Sequence, residues 1–341
     1  MNQHKITIDG ADGVSFAQCE GDTVLRAALR AGLGFPYECN SGGCGSCKFD
    51  LVSGEVDNLW PDAPGLTERD RRKQRLLACQ CRAKGPVSVR VRLGEEYQPQ
   101  VPPRRQIARL IETIDVTSDI REFRFRTPVP ATFLPGQYAM LDIPGVAQPR
   151  AYSMSNLGNE DGDWHFQIRL VPNGRATAQL FGQLRVGDEI GIDGPYGLAW
   201  LRPESPRHIA CIAGGSGLAP MVSIARGAAA AGILGEGREL HFFYGGRTPK
   251  DICGEVFLQA LPGYAKHIHY HPVVSIAEAA GEAWGGATGF VHDHVRNTIG
   301  DRMAEFEFYF AGPPPMTQAL QDLLMVQHRV PYTQIHYDRF F

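Results

Sequence analysis

Four cysteines near the start of the chain constrain its fold more than any other feature. Cys39, Cys44 and Cys47 follow the spacing Cys-x4-Cys-x2-Cys, and Cys79 stands well downstream. This is the plant-type spacing of four thiolates around a [2Fe–2S] cluster. Such a cluster carries net negative charge and needs a loop whose backbone N–H groups turn toward the sulfurs. Glycine permits the positive-φ geometry of that nest, and Gly42, Gly43 and Gly45 lie between the cysteines. The expected chemistry is one-electron transfer, with Cys39, Cys44, Cys47 and Cys79 as the iron ligands.

Two rival readings fit less well. Structural zinc sites usually carry two short Cys-x2-Cys knuckles, and this segment has one. A disulfide framework belongs to secreted chains, and Met1-Asn2-Gln3-His4-Lys5-Ile6 lacks the apolar run of a secretory signal. A reducing, cytoplasmic setting is therefore expected. Cys19, Cys81, Cys211 and Cys253 read as buried or incidental thiols. Cys81 competes with Cys79 for the fourth ligand position, and Cys79 matches the spacing better.

A chain of 341 residues is long enough for two or three domains, and the net charge of −3 gives no electrostatic case for nucleic-acid binding. No apolar run reaches the ~18 residues of a membrane span. Residues 1–95 read as a small α+β unit. It has strands at Lys5–Ile8, Val14–Ala17, Lys48–Val52 and Val87–Leu93, and a helix over Thr23–Ala31 with Asp22 as N-cap and Gly32 as its stop. Residues Arg69 to Arg75 form a basic run, read either as a solvated helix face or as a docking surface for an acidic partner. The Pro-rich segment 96–106 reads as a linker. Strand-rich sequence at 107–203 predicts an antiparallel barrel. From 204 to 341 strands and helices alternate, the pattern of a parallel sheet.

Two stretches in the barrel suit a flat cofactor with a diphosphate. Arg150-Ala151-Tyr152-Ser153 offers a guanidinium for phosphate, a ring for stacking and a hydroxyl for a ring edge. Gly174-Arg175-Ala176-Thr177 opens a short helix, whose N-terminus favours phosphate. In the last domain, Gly214-Gly215-Ser216-Gly217-Leu218-Ala219-Pro220 follows a strand and precedes a helix, so its glycines let the backbone approach a second diphosphate. It is not the Gly-x-Gly-x-x-Gly fingerprint, because proline takes the third glycine's place. Tyr244-Gly245-Gly246-Arg247 and Ala311-Gly312-Pro313-Pro314 end two further strands, where a parallel sheet presents its ligand crevice. His267, His269 and His271 alternate like strand residues, with no carboxylate or cysteine at ligand spacing, and are not expected to bind metal.

These barrel and nucleotide motifs, in this order, resemble the ferredoxin–NADP⁺ reductase superfamily, here with an N-terminal plant-type ferredoxin. Pro36-Tyr37-Glu38-Cys39, Asn58-Leu59-Trp60-Pro61-Asp62, Leu77-Ala78-Cys79-Gln80-Cys81 and the terminal His336-Tyr337-Asp338-Arg339-Phe340-Phe341 resemble reductase components of soluble di-iron monooxygenases of the toluene, phenol and alkene type. The resemblance implies a β-grasp [2Fe–2S] domain, an FAD-binding β-barrel and an α/β NAD-binding domain. It implies that Arg150, Ala151, Tyr152, Ser153, Ile168 and Leu170 hold FAD, with Gly174 and Thr177 at its pyrophosphate. Gly214, Gly215, Ser216, Gly217 and Pro220 would hold the nicotinamide dinucleotide, together with Tyr244, Arg247 and Asp251. Gly312 and Pro313 would shape the nicotinamide slot, and Phe340 or Phe341 would stack on the flavin. The family's cysteine before Gly-Pro-Pro is Ala311 here, which is expected to slow hydride transfer. NADH is expected over NADPH, with Asp251 at a ribose. The implied partner is a Rieske ferredoxin or a di-iron hydroxylase, the chain itself a monomer. A reductase for a Rieske ring-hydroxylating dioxygenase is the alternative in the same class. A redox-responsive binding module without turnover is the alternative from another class, and the complete nicotinamide motif set speaks against it.

Overall fold

Alternation of apolar and polar residues builds the first strand: in His4-Lys5-Ile6-Thr7-Ile8, Ile6 and Ile8 are buried and their neighbours are not. The structure is a computed structural model that describes residues 3–11, 13–235, 237–277 and 284–339. It divides into two units, one containing the chain up to Arg105 with Asp193–Tyr196, the other Gln106–Ile192 and the chain from Gly197.

In the first unit, β1 (His4–Ile8), β2 (Ser15–Gln18), α1 (Val24–Arg30), β3 (Lys48–Ser53), β4 (Val56–Asn58), α2 (Glu68–Arg72), β5 (Leu76–Leu77), β6 (Cys81–Ala83) and β7 (Val87–Arg90) follow one another. The main sheet runs β2-β1-β7-β3-β5, with β1 antiparallel to β2 and parallel to β7. The last strand stops at Arg90, short of the expected Leu93. Helix α1 starts one residue late, because Thr23 rather than Asp22 is its N-cap: Thr23 has extended backbone, and its Oγ1 accepts from Arg26 N–H at 3.3 Å. Asp22 instead pairs with Arg30 at 2.9 Å. The helix buries Leu25, Ala28 and Leu29, and Gly32 follows it with φ +76°.

Next along the chain come β8 (Arg104–Asp115), β9 (Ile120–Arg126), β10 (Tyr138–Asp142), β11 (Arg150–Ser153), β12 (Asp163–Arg169), α3 (Arg175–Gly182) and β13 (Glu189–Tyr196), of which all but the start of β8 and the end of β13 belong to the second unit. Strand β8 already occupies the end of the expected linker. The barrel sheet has the order β11-β10-β13-β8-β9-β12 around Phe123, Phe125, Trp164 and Phe166. Then come β14 (His208–Gly214), α4 (Leu218–Ala230), β15 (Leu240–Gly246), α5 (Glu255–Gln259), β16 (Ile268–Val274), β17 (Ala287–Thr288), α6 (Val291–Ile299), β18 (Phe306–Gly312), α7 (Pro314–Gln321) and β19 (Ile335–Arg339).

These last strands form a parallel sheet of order β17-β16-β15-β14-β18-β19. Successive residues of β14 point to opposite layers: Ile209, Cys211 and Ala213 pack with α4 and α5 residues, and Ala210 and Ile212 with Val295 of α6 and Leu320 of α7. Ser223 of α4 joins this sheet to the barrel. Its Oγ accepts from Gly136 N–H at 3.3 Å and donates to the Asn156 carbonyl at 2.8 Å. Among the described residues no helix is long and apolar enough to cross a membrane.

Candidate functional site

In the first unit the loop after α1, with Cys39, Cys44 and Cys47, and the turn between β5 and β6, with Cys79, bring four thiols together, none of them in a disulfide. Cys39 is hydrogen-bonded to Cys44, and Cys47 to Cys79. Backbone N–H groups point at the sulfurs: Ser41 and Cys44 donate to Cys39 Sγ at 3.4 Å, and Ser46 to Cys44 Sγ at 3.4 Å. Gly42 and Gly45 have φ of +91° and +80°, and Asn40 takes +52°. The Cys44 thiol and the Ser41 and Cys44 N–H groups hold Cys39 down at about 5 against desolvation. The shared hydrogen bond and burial push Cys44 up, and the same causes raise buried Cys47. A set of thiols with inward N–H donors fits a negatively charged iron–sulfur cluster. Cys81 is buried too, and desolvation pushes its thiol up to about 12, but the hydrogen bond to Cys47 belongs to Cys79.

A second loop lies over the first. Gly65 N–H donates to the Gly42 carbonyl at 2.9 Å, and a Cβ on Gly42 would stand 3.1 Å from the Trp60 ring. Arg71 of α2 fastens this loop. Its guanidinium donates to the carbonyls of Pro61, Ala63 and Leu66 at 3.0, 3.1 and 3.3 Å, and to Asp62 at 3.2 Å. Helix α2 is itself set by a capping box between Thr67 and Asp70. Lys48, 2.8 Å away, and the Thr67 hydroxyl hold the Asp70 carboxyl below the usual range. Arg69, Arg71, Arg72 and Lys73 of the basic run are all exposed, and Arg71 serves as a strut as well.

In the barrel, β10 and β11 pair with Tyr138 opposite Ser153 and Leu141 opposite Arg150. Arg150 and Ala151 are exposed, Tyr152 half-buried and Ser153 buried. Desolvation pushes the Tyr152 phenol up to about 12, so it stays neutral. Helix α3 begins at Gly174 with no side-chain cap, which leaves its first N–H groups for an anion. The Thr177 hydroxyl accepts from Val171 N–H and donates to the Gly174 carbonyl, both at 3.2 Å, so the side chain shapes the loop. The Ile168 side chain lies in the barrel core, because strand alternation turns it inward. Leu170, just beyond β12, is exposed.

The three glycine turns of the last domain sit side by side: Gly214 pairs with Gly245 across β14 and β15, and Ala213 with Ala311 across β14 and β18. Helix α4 also begins without a side-chain cap, with half-buried Gly215 and Ser216 ahead of it and buried Pro220 in its first turn. A Cβ on Gly217 would overlap the Ala311 carbonyl oxygen, and one on Gly214 would lie 2.7 Å from Met316 Sδ and 3.5 Å from Pro313. Buried Tyr244 lies beneath the turn and not at its surface. Its hydroxyl donates to the Gly215 carbonyl at 3.3 Å and accepts from Cys253 at 3.2 Å. Arg247 is exposed. Asp251 Oδ2 accepts from Thr248 N–H at 2.8 Å and from its hydroxyl at 3.0 Å. Phe340 and Phe341 lie outside the described residues.

One charged group at this site went unread in the sequence. Arg169, at the end of β12, pairs with Asp119 at 2.6 Å and with Asp251 at 3.5 Å, and its Nη1 would stand 3.3 Å from a Cβ on Gly215. Nothing local marks it, because its partners come from three separate segments.

Family models match the chain in three places: a 2Fe-2S iron-sulfur cluster binding domain over residues 6–84, an oxidoreductase FAD-binding domain over 107–200, and an oxidoreductase NAD-binding domain over 211–322. The ferredoxin–NAD(P)⁺ reductase CarAd of Metapseudomonas resinovorans is 41% identical, covering 94% of this chain and 95% of its own length. The ferredoxin–NAD⁺ reductase component of the alkene monooxygenase system of Xanthobacter autotrophicus is 39% identical over 96% of this chain and 98% of its own. A solved ferredoxin reductase in carbazole 1,9a-dioxygenase superposes with a TM-score of 0.91 at 37% identity, covering 99% of each chain.

Proposed function

Because the chain belongs to the ferredoxin–NAD(P)⁺ reductase components of monooxygenase and dioxygenase systems, we propose that it carries electrons from NADH to an oxygenase partner. FAD held by the barrel would supply the conversion of a two-electron hydride donor into single electrons for a [2Fe–2S] cluster held by the four cysteines. The chain's own residues position and shield. Cys39, Cys44, Cys47 and Cys79 hold the iron, and the N–H groups of Ser41, Cys44 and Ser46 offset the charge on the sulfurs. Arg150, Tyr152, Ser153 and the N-terminus of α3 hold the flavin. The Gly214–Gly217 turn and the start of α4 receive the dinucleotide's diphosphate, with Gly312 and Pro313 beside it. No acid–base pair is needed. The observation that carries the reading is the adjacency of the three glycine turns at the carboxyl ends of β14, β15 and β18.

The partner is a Rieske ferredoxin or a di-iron hydroxylase, the reductase a cytoplasmic monomer. The carbazole-dioxygenase likeness favours, as a second reading, a partner belonging to a ring-hydroxylating dioxygenase. NADH-driven reduction of each purified acceptor tests both: one acceptor class should be reduced at least ~10-fold faster, in keeping with steered and selective docking. Absence of NADH-driven cytochrome c reduction by the iron- and FAD-loaded protein would leave only a non-catalytic binding module.

For the nucleotide, Asp251 beside the Gly245–Gly246 turn disfavours a 2′-phosphate, so NADH is the expected donor. Arg169→Gln should raise KM for NADH about 5- to 10-fold with kcat changed less, since a charge-assisted contact of ~1–1.5 kcal/mol is lost from binding. Steady-state rates with NADH and NADPH check both points, and an unchanged KM would remove Arg169 from the site.

A further inference from the structure

Glu239, His241 and His269 meet at the amino ends of β15 and β16, the end of the sheet opposite the glycine turns. His241 and His269 are register partners across the two parallel strands, and Glu239 precedes β15. One ligand atom from each lies within 4.8 Å of the others. Glu239 Oε2 is 3.4 Å from His241 Nε2 and 3.5 Å from His269 Nε2. Ligands at about 2.0–2.2 Å around a tetrahedral Zn²⁺ stand about 3.4 Å apart, so both carboxylate–imidazole spacings already suit one ion.

The ring nitrogens of His241 are differentiated. Nδ1 lies 3.0 Å from His271 Nε2, the kind of contact that fixes the tautomer of a metal-bound imidazole. Nε2 is buried, faces Glu239 at 3.4 Å and His269, and makes no well-aligned hydrogen bond among the described residues. A buried ring nitrogen left this way is costly unless a proton or cation stands between it and the carboxylate. The Glu239 and His269 side chains are 38% and 31% exposed, which leaves an open side for water as a fourth ligand.

We propose that Glu239, His241 and His269 bind one Zn²⁺-class divalent cation, with His271 orienting His241. Two imidazoles and a carboxylate suit a borderline ion. The ion would clip β15 to β16 at the end of their sheet opposite the nucleotide turns. The sequence reading set His269 and His271 aside for want of a carboxylate at ligand spacing and did not single out His241. Glu239 supplies the carboxylate from the turn just before β15, and His267 takes no part.

The test uses the full-length protein loaded with iron and FAD, dialysed against micromolar Zn²⁺ and assayed for metal by atomic emission. One zinc per chain beyond the iron is expected. Glu239→Gln and His269→Gln should each weaken binding at least 10-fold, with iron and FAD contents unchanged, and zinc should raise the Tm of the parent protein alone. X-ray absorption of the bound zinc gives a readout that needs no variant, and a nitrogen–oxygen shell is expected. A sulfur shell, no binding at micromolar zinc, or equal binding by parent and both variants would overturn the proposal.

Discussion

Cys79→Ser is expected to strip the iron from the N-terminal domain, whereas Cys81→Ser leaves it in place. Both thiols are buried, at 1% and 0% exposure, so accessibility does not separate them. Partnership does: Cys79 is hydrogen-bonded to Cys47, while desolvation dominates at Cys81 and holds its thiol at about 12. Loss of an outer-shell contact costs a metal site ~10–100-fold, and loss of a ligand should cost more. NADH-driven cytochrome c reduction by Cys79→Ser should therefore fall by more than ~100-fold. Its FAD content should persist, because the barrel core is built without this loop. Iron analysis of the two variants decides the matter, and iron retained in Cys79→Ser but lost in Cys81→Ser would reverse the assignment.

Gly217→Ala should abolish most NADH turnover while leaving a folded protein. The added methyl would overlap the Ala311 carbonyl oxygen, which belongs to backbone and cannot swing aside. Overpacking of this kind costs ~1–3 kcal/mol, less than the ~5–15 kcal/mol that holds a domain together. The α4 turn must then shift away from β18, and a displacement of ~1 Å at a binding constellation can cost ~10²-fold in rate. A fall of about that size in kcat/KM for NADH, with unchanged iron and FAD, is the expected result in steady-state kinetics. A kcat/KM within twofold of the parent would mean that the Gly217–Ala311 approach does not set the nucleotide turn.

Much of this was legible in the sequence because it is local. Cysteine spacing, the strand–glycine–helix turn at Gly214–Pro220 and the alternation within β1 each depend on neighbours along the chain. What was not legible depends on residues brought together from afar. Arg169 needs Asp119, Asp251 and Gly215 to make sense, and the cluster at His241 needs one residue from each of two strands and the turn before one of them. Side-chain commitment was also hidden. Thr177, Tyr244 and Asp251 carry groups that could meet a cofactor, and in the fold their hydroxyls or carboxylate are engaged with Gly174, Gly215 and Thr248. The N-cap at Thr23 differed from the expected Asp22 because a neighbouring arginine, Arg30, claims that aspartate.

Arg71 ties two properties of the first domain together that evolution usually adjusts separately. Its charge is part of the exposed basic face of α2, while its five-donor head grips three carbonyls of the loop over the cluster. A drift in surface charge at this position would therefore loosen the cover of the iron site. Charge on this face can change without disturbing that cover at Arg69, Arg72 and Lys73, which are exposed.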